Sequence, residues 1–379
     1  MRKLFTYLLL LLTTYSCIEE TECDFDIPQG RTLLIYLAGD NSLSDEVVDI
    51  FEALKQGWDP KTMGQLVILA DSKDNDRPML IKFGERKGQT VTDTLREYVN
   101  KNSASPELFS QVIADTKVVA PGESYGLLLF SHATGWLPEG SFSDPIGWKS
   151  RSDGTKGIVP RSIFEDNKRE MELTDFAAAI PDGMFEFIAS EMCFMSGVEI
   201  AYALRNKTDY LLASAPEMLS PGFTPIYKTS LGLLYKPKAD LEGFAQVHFN
   251  YIEAQQGAFR SGAISLVRTS EMESLVALTR EIAPSLTQIE IDKVQYYDRN
   301  GKPHLFFDYG DYMKQKATSE QIARLEILLD KAVIFKRNTP KLINIDIIKH
   351  SGLSVYIPQD ALPRLNAAYE DTDWWKAIQ

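Results

Sequence analysis

Two side chains able to do covalent chemistry stand where apolar runs of the sequence end. His132 follows Tyr125-Gly126-Leu127-Leu128-Leu129-Phe130 by way of Ser131, and Cys193 follows Phe185-Glu186-Phe187-Ile188-Ala189 by way of Ser190-Glu191-Met192. An imidazole beside a thiol forms a base–nucleophile pair, in which the base draws off the thiol proton and the thiolate attacks a carbonyl. If the two runs are neighbouring strands, their ends lie about 5 Å apart. Ligands of open α/β sheets bind beyond such carboxyl ends. The segment Ser196 to Arg205 reads as a helix whose positive N-terminal end would lower the pKa of Cys193. Each residue alone has a plainer reading. A cysteine between Met192 and Phe194 most often packs in a core, and a histidine at a strand end is often only a turn residue. The joint placement is what favours chemistry.

The elements that must position this pair follow from the apolar pattern. Thr32–Leu37 runs into Ala38-Gly39-Asp40-Asn41, Gln65–Ala70 into Asp71, and Tyr210–Ala213 into Ser214. With the two runs above, these read as buried strands of a mainly parallel sheet. Helices are expected between them at Ser44–Gln56, with Ser44 as N-cap, and at about 107–118, 172–180 and 196–206. Alternating strand and helix implies right-handed crossovers and a layered α/β fold. The chain after about residue 236 is more helical, with helices expected at 240–256, 271–287 and 318–336 and a late strand at Gly352–Ile357 before Pro358. The stretch 137–170, rich in Gly, Ser, Asp, Lys and Arg, reads as a long exposed loop.

The first residues are targeting rather than fold. Arg2 and Lys3 precede an apolar run, Leu4–Leu12, that is too short to span a bilayer. Ser16-Cys17 then resembles the processing point of a bacterial lipoprotein signal, which implies a lipid on Cys17 as the mature N-terminus. The expected organisation is a signal peptide at 1–16, an acidic tether at 17–29, a catalytic core at 30–235 and a C-terminal α/β portion at 236–379. Because residue 18 is Ile, sorting to the outer membrane is expected, and the acidic tether resembles those of surface-exposed lipoproteins. The 379 residues carry 40 Lys and Arg against 53 Asp and Glu, a net charge of −13. Loss of Arg2 and Lys3 leaves 38 cations against 53 anions, or −15. Such a charge repels phosphate and argues against nucleic acid as a partner. Of three cysteines, Cys23 falls in the tether, which leaves Cys193 as the one cysteine of the folded body.

Competing motifs are absent. The chain has no GxGxxG, no GxxxxGK[ST] and no HExxH. Asp71, Asp74 and Asp76 lack the glycine and terminal glutamate of a calcium loop and read as a solvated loop. His248, His304 and His350 share no metal spacing.

Ser131-His132-Ala133-Thr134-Gly135-Trp136 resembles the Ser-His-Gly-x-Gly-Trp motif of the clostripain family. Ser190-Glu191-Met192-Cys193-Phe194-Met195-Ser196-Gly197-Val198-Glu199 resembles that family's nucleophile motif, and Tyr36–Leu43 its opening strand and turn. Ala213-Ser214 and Gly352–Pro358 fit as well. The resemblance spans about residues 30–379. It implies a caspase-like layered sandwich and a cysteine endopeptidase acting on protein or peptide substrates. His132 is then general acid and base, Cys193 the nucleophile, and the backbone N–H groups of Ala133 and Cys193 the oxyanion donors. Glu191, Ser214 and Glu217 are the implied substrate-binding residues, with cleavage after Arg or Lys. Lys149 and Arg151 are the implied sites of self-processing. No cofactor or metal is implied, although some members of the family require calcium.

Two departures stand out. Ala133 replaces a glycine, at about 1–2 kcal/mol if that position has φ > 0. Glu191 replaces an aspartate, keeping the charge on a longer arm. These departures support a rival expectation, a degenerate surface lipoprotein that binds peptide or glycan without cleaving it.

Overall fold

The computed structural model describes residues 30–148, 163–166, 169–286, 289–299 and 301–379. The strands are β1 Arg31–Gly39, β2 Gln65–Ser72, β3 Met79–Arg86, β4 Gln89–Glu97, β5 Ser124–Phe130, β6 Ile163–Asp166, β7 Arg169–Met171, β8 Phe185–Ser190, β9 Thr208–Ala213, β10 Ala263–Arg268, β11 Phe307–Asp308 and β12 Val333–Asn338. Nine of them form one sheet in the order β12-β10-β9-β8-β5-β1-β2-β3-β4. The five central strands are parallel, and antiparallel pairs extend both edges.

Alternation along each central strand feeds two cores. Leu34, Tyr36 and Ala38 face one, and Leu33, Ile35 and Leu37 the other. All nine residues of β1 are buried, as expected for a parallel sheet covered on both faces. The helices α1 Ser44–Gly57, α5 Tyr227–Ser230 and α6 Leu241–Glu253 cover one face. The other carries α2 Pro106–Val119, α3 Leu173–Ala179, α4 Val198–Ala203, α7 Met272–Ile282, α8 Tyr309–Lys314, α9 Ser319–Ala332, α10 Pro363–Glu370 and α11 Asp373–Ile378. The result is the three-layer α/β sandwich expected from the sequence, with the helical C-terminal part adding β10 and β12 to the same sheet.

Several local expectations are corrected. The strands β3, β4, β10 and β12 are not legible as such in the sequence, and residues 333–336 belong to β12 rather than to the preceding helix. The late strand is shorter, Ser354–Val355, and pairs with β11. Ser44 does not cap α1, because its hydroxyl accepts the Lys73 N–H at 3.0 Å instead. Asp71 is not in a solvated loop, since β2 runs on through Ser72 and buries it. The stretch 137–170 is not simply an exposed loop. Leu137, Ile163 and Phe164 are fully buried, and β6 pairs with β7.

Candidate active site

The sheet register brings the two reactive residues to one level. Leu129 of β5 pairs with Ser190 of β8, and His132 and Cys193 each lie three residues beyond that pair. Adjacent strands are about 4.8 Å apart, and both residues line one cleft of about 390 Å³. Larger hollows of about 650 and 820 Å³ lie among the helices of the Leu34–Tyr36 core and contain neither residue.

The loop carrying Cys193 is pinned on several sides. Glu191 continues the pairing of β8 by donating its N–H to the Leu129 carbonyl at 2.9 Å. The Phe194 N–H donates to Pro216 O at 3.0 Å, and the Ser196 N–H to Ser214 O at 2.9 Å. Phe194 has φ +59°, a left-handed conformation unusual for a side chain of this size. Its ring stacks on Phe306 with centroids 4.0 Å apart, which holds the turn. The Cys193 thiol is half-buried and lies 3.6 Å from the Met218 carbonyl oxygen. The helix after it begins only at Val198, so Phe194–Gly197 separate the thiol from its N-terminal end.

His132 is positioned by the turn after β1. Asn41 accepts the Leu43 N–H at 2.8 Å and donates to the carbonyls of Ala38 and Glu165 at 3.1 and 2.6 Å. The neighbouring Ser42 then places its hydroxyl 2.7 Å from His132 Nε2. Ser131 accepts the Glu165 N–H at 3.0 Å, so β6 is fastened to the histidine strand end. Ala133 bridges to Ile163 and lies outside the left-handed region, so the anticipated cost of replacing glycine does not arise. Gly135 is the position that needs glycine. Its φ is +65°, and an added Cβ would sit 2.9 Å from the Phe194 carbonyl oxygen.

The carboxylates of the cleft are all engaged. Glu191 is buried, accepting the Phe223 N–H at 2.6 Å and the Tyr227 hydroxyl. Burial pushes its pKa up to about 7, against the lowering effect of these two donors. Gly222, with φ +56°, makes room for it, because a Cβ there would meet Glu191 Oε2 at 2.3 Å. Glu217 accepts from Arg299 Nε and Nη2 at 2.9 and 2.5 Å, both on one oxygen. Glu46 accepts the Ser220 hydroxyl. Ser214 is fully buried and does not line the cleft; its carbonyl serves the Cys193 loop.

The remaining residues singled out in the sequence fall elsewhere. Cys17, Lys149 and Arg151 lie outside the described residues. No cluster of three metal-binding side chains occurs among the described residues. His248 is buried and His350 half-buried, with pKa values pushed down by desolvation to about 4 and about 3. Ser42, Tyr227 and Arg299 join the site without having been expected there. Ser42 lies inside the opening turn that resembles the family and was within reach, whereas nothing local marks Tyr227 or Arg299.

Comparison with known proteins bears on the family and the fold. The family model described as "Clostripain family" matches residues 35–339. The chain is similar to the structure of an inactive zymogen C11 protease from Parabacteroides distasonis. That match has 33% identity and a TM-score of 0.80, covering 93% of this chain and 98% of the other. A secreted C11 cysteine protease from Bacteroides thetaiotaomicron, solved with an irreversible peptide inhibitor, shares the fold. It is 23% identical with a TM-score of 0.77, covering 93% of this chain and 99% of that one. No protein of curated function matches significantly.

Proposed function

Since the chain belongs to the clostripain family of cysteine proteases, we propose that it is a working endopeptidase with Cys193 as nucleophile and His132 as its base and acid. The observation that carries this reading is the β5–β8 register, which sets the two side chains at one height on one cleft. His132 takes the thiol proton, and Cys193 Sγ attacks the scissile carbonyl. The backbone N–H groups of Ala133 and Cys193 are suited to bind the resulting oxyanion. His132 then gives its proton to the departing amine, leaving a thioester that a water molecule, deprotonated by His132, hydrolyses. Glu191 and Glu217 supply negative charge for an Arg or Lys side chain. The ordinary backbone of Ala133 removes one support for a non-cleaving relative.

The N-terminal signal supports export with a lipid on Cys17, anchoring the enzyme to the outer membrane. No helix among the described residues is long and apolar enough to cross a membrane. Self-processing at Lys149 or Arg151 belongs to the same proposal.

Recombinant residues 24–379 test the enzyme reading. Cleavage of an Arg or Lys peptide amide is expected, together with labelling at Cys193 by a basic-residue electrophile, and both should vanish in Cys193→Ala. Absence of both in the wild type would overturn the proposal.

A further inference from the structure

The guanidinium of Arg299 stands in the cleft where the substrate's own cation is expected. Arg299 lines the cleft with Cys193 and Glu217. It reaches Glu217 from 82 residues away and places Nε and Nη2 on the same carboxylate oxygen. Its side chain is 37% exposed and that of Glu217 only 12%, so the pair closes over the acid rather than the base. The other carboxylate assigned to a basic side chain, Glu191, is occupied by the Phe223 N–H and the Tyr227 hydroxyl. A cationic side chain entering beside Cys193 therefore finds both acids already engaged.

We propose that Arg299 is a specificity-determining residue that competes internally for Glu217, so that a substrate binds by exchanging its own guanidinium for that of Arg299. This inference rests on the assignment of Glu217 to substrate binding. Exchange favours arginine over lysine. The pair brings two N–H donors of one planar group onto one carboxylate oxygen, and an ammonium is a compact point charge without that planar pair of donors. A partly exposed ion pair of this kind contributes little in itself, so the competition raises the threshold for weak ligands without closing the site to good ones.

The test uses residues 24–379 carrying Cys193→Ala, with binding of Nα-acetyl-arginine amide and Nα-acetyl-lysine amide followed by calorimetry. Adding Arg299→Ala should tighten the arginine ligand about fivefold and the lysine ligand less. Adding Glu217→Gln should weaken the arginine ligand and abolish the gain from Arg299→Ala. Unchanged or weaker arginine binding in Arg299→Ala, with an unaltered melting temperature, would overturn the proposal. So would a gain that persists in Glu217→Gln. None of these readouts depends on turnover. Failure of the wild type to cleave would therefore sink the peptidase reading alone, and unchanged binding beside intact cleavage would sink this one alone.

Discussion

Replacing Glu191 by Gln should stabilise the protein at alkaline pH and weaken its use of basic substrates. The carboxyl sits on the floor of the cleft, buried, with burial holding its pKa near 7 against an ordinary value of 4.5. A raised carboxyl pKa means that the folded state holds the proton more tightly than the unfolded state. Its contribution is fully present below about pH 4.5 and is lost as pH rises through about 7. The slope in that window is about 1.4 kcal/mol per pH unit at most, and the total is on the order of 3 kcal/mol. Glutamine imitates the protonated acid. Its carbonyl can accept the Phe223 N–H, and its amide can donate to the Tyr227 oxygen once that hydroxyl turns. Urea unfolding of Glu191→Gln and wild type should give similar stability near pH 4.5 and a variant more stable by about 1–3 kcal/mol near pH 8.5. The difference between the two proteins cancels the opposite contributions of His248 and His350, which lose stability as pH falls below 6.5. Glu46, which also raises the Glu191 pKa, is common to both. At pH 8 kcat/KM for an arginine amide should fall in the variant by about tenfold or more, because one negative charge leaves the cleft. A stability difference that stays flat from pH 4.5 to 8.5 would refute the reasoning about the buried acid.

Two further outcomes follow from the geometry of the histidine loop. Ser42→Ala removes the hydroxyl 2.7 Å from His132 Nε2. It should lower kcat about two- to tenfold with KM and melting temperature unchanged, and Ser42→Thr should restore most of the loss; an unaltered kcat would rule out a positioning role. Gly135→Ala forces a Cβ onto a left-handed backbone and against the Phe194 carbonyl. Urea titration should show a loss of about 1–3 kcal/mol, and a change under about 0.5 kcal/mol would contradict the assigned backbone.

The parallel heart of the sheet is legible because strands buried on both faces are written as unbroken apolar runs. The edges are not. The strand β4, Gln89–Glu97, is largely exposed and rich in Thr and charge, so no apolar signal announces it. The Val333-Ile334-Phe335 start of β12 continues the apolar pattern of the helix before it and merges with that helix in the sequence. Within the site, His132 and Cys193 are visible because each terminates a strand. Tyr227 and Arg299 reach their carboxylates across 36 and 82 residues. Contacts of that kind arise from tertiary closure and leave no mark in local spacing. The helix after Cys193 reads as too close to it because Ser196 and Gly197 fit a helix start, whereas the tight turn at Phe194 delays it.

The strand order has a consequence for what a single cut would do. Strands β1 to β5 fill one half of the sheet, and β8, β9, β10 and β12 fill the other, meeting at one seam, β5 against β8. A break anywhere between His132 and Phe185 divides the sheet into two contiguous pieces of chain without crossing any strand pairing within either half. The histidine would then belong to one polypeptide and the cysteine to the other, with the cleft as their shared property. Such a nicked molecule would elute as one species under native conditions and part only in denaturant. Intact size on a gel-filtration column would therefore say nothing about whether the chain is whole.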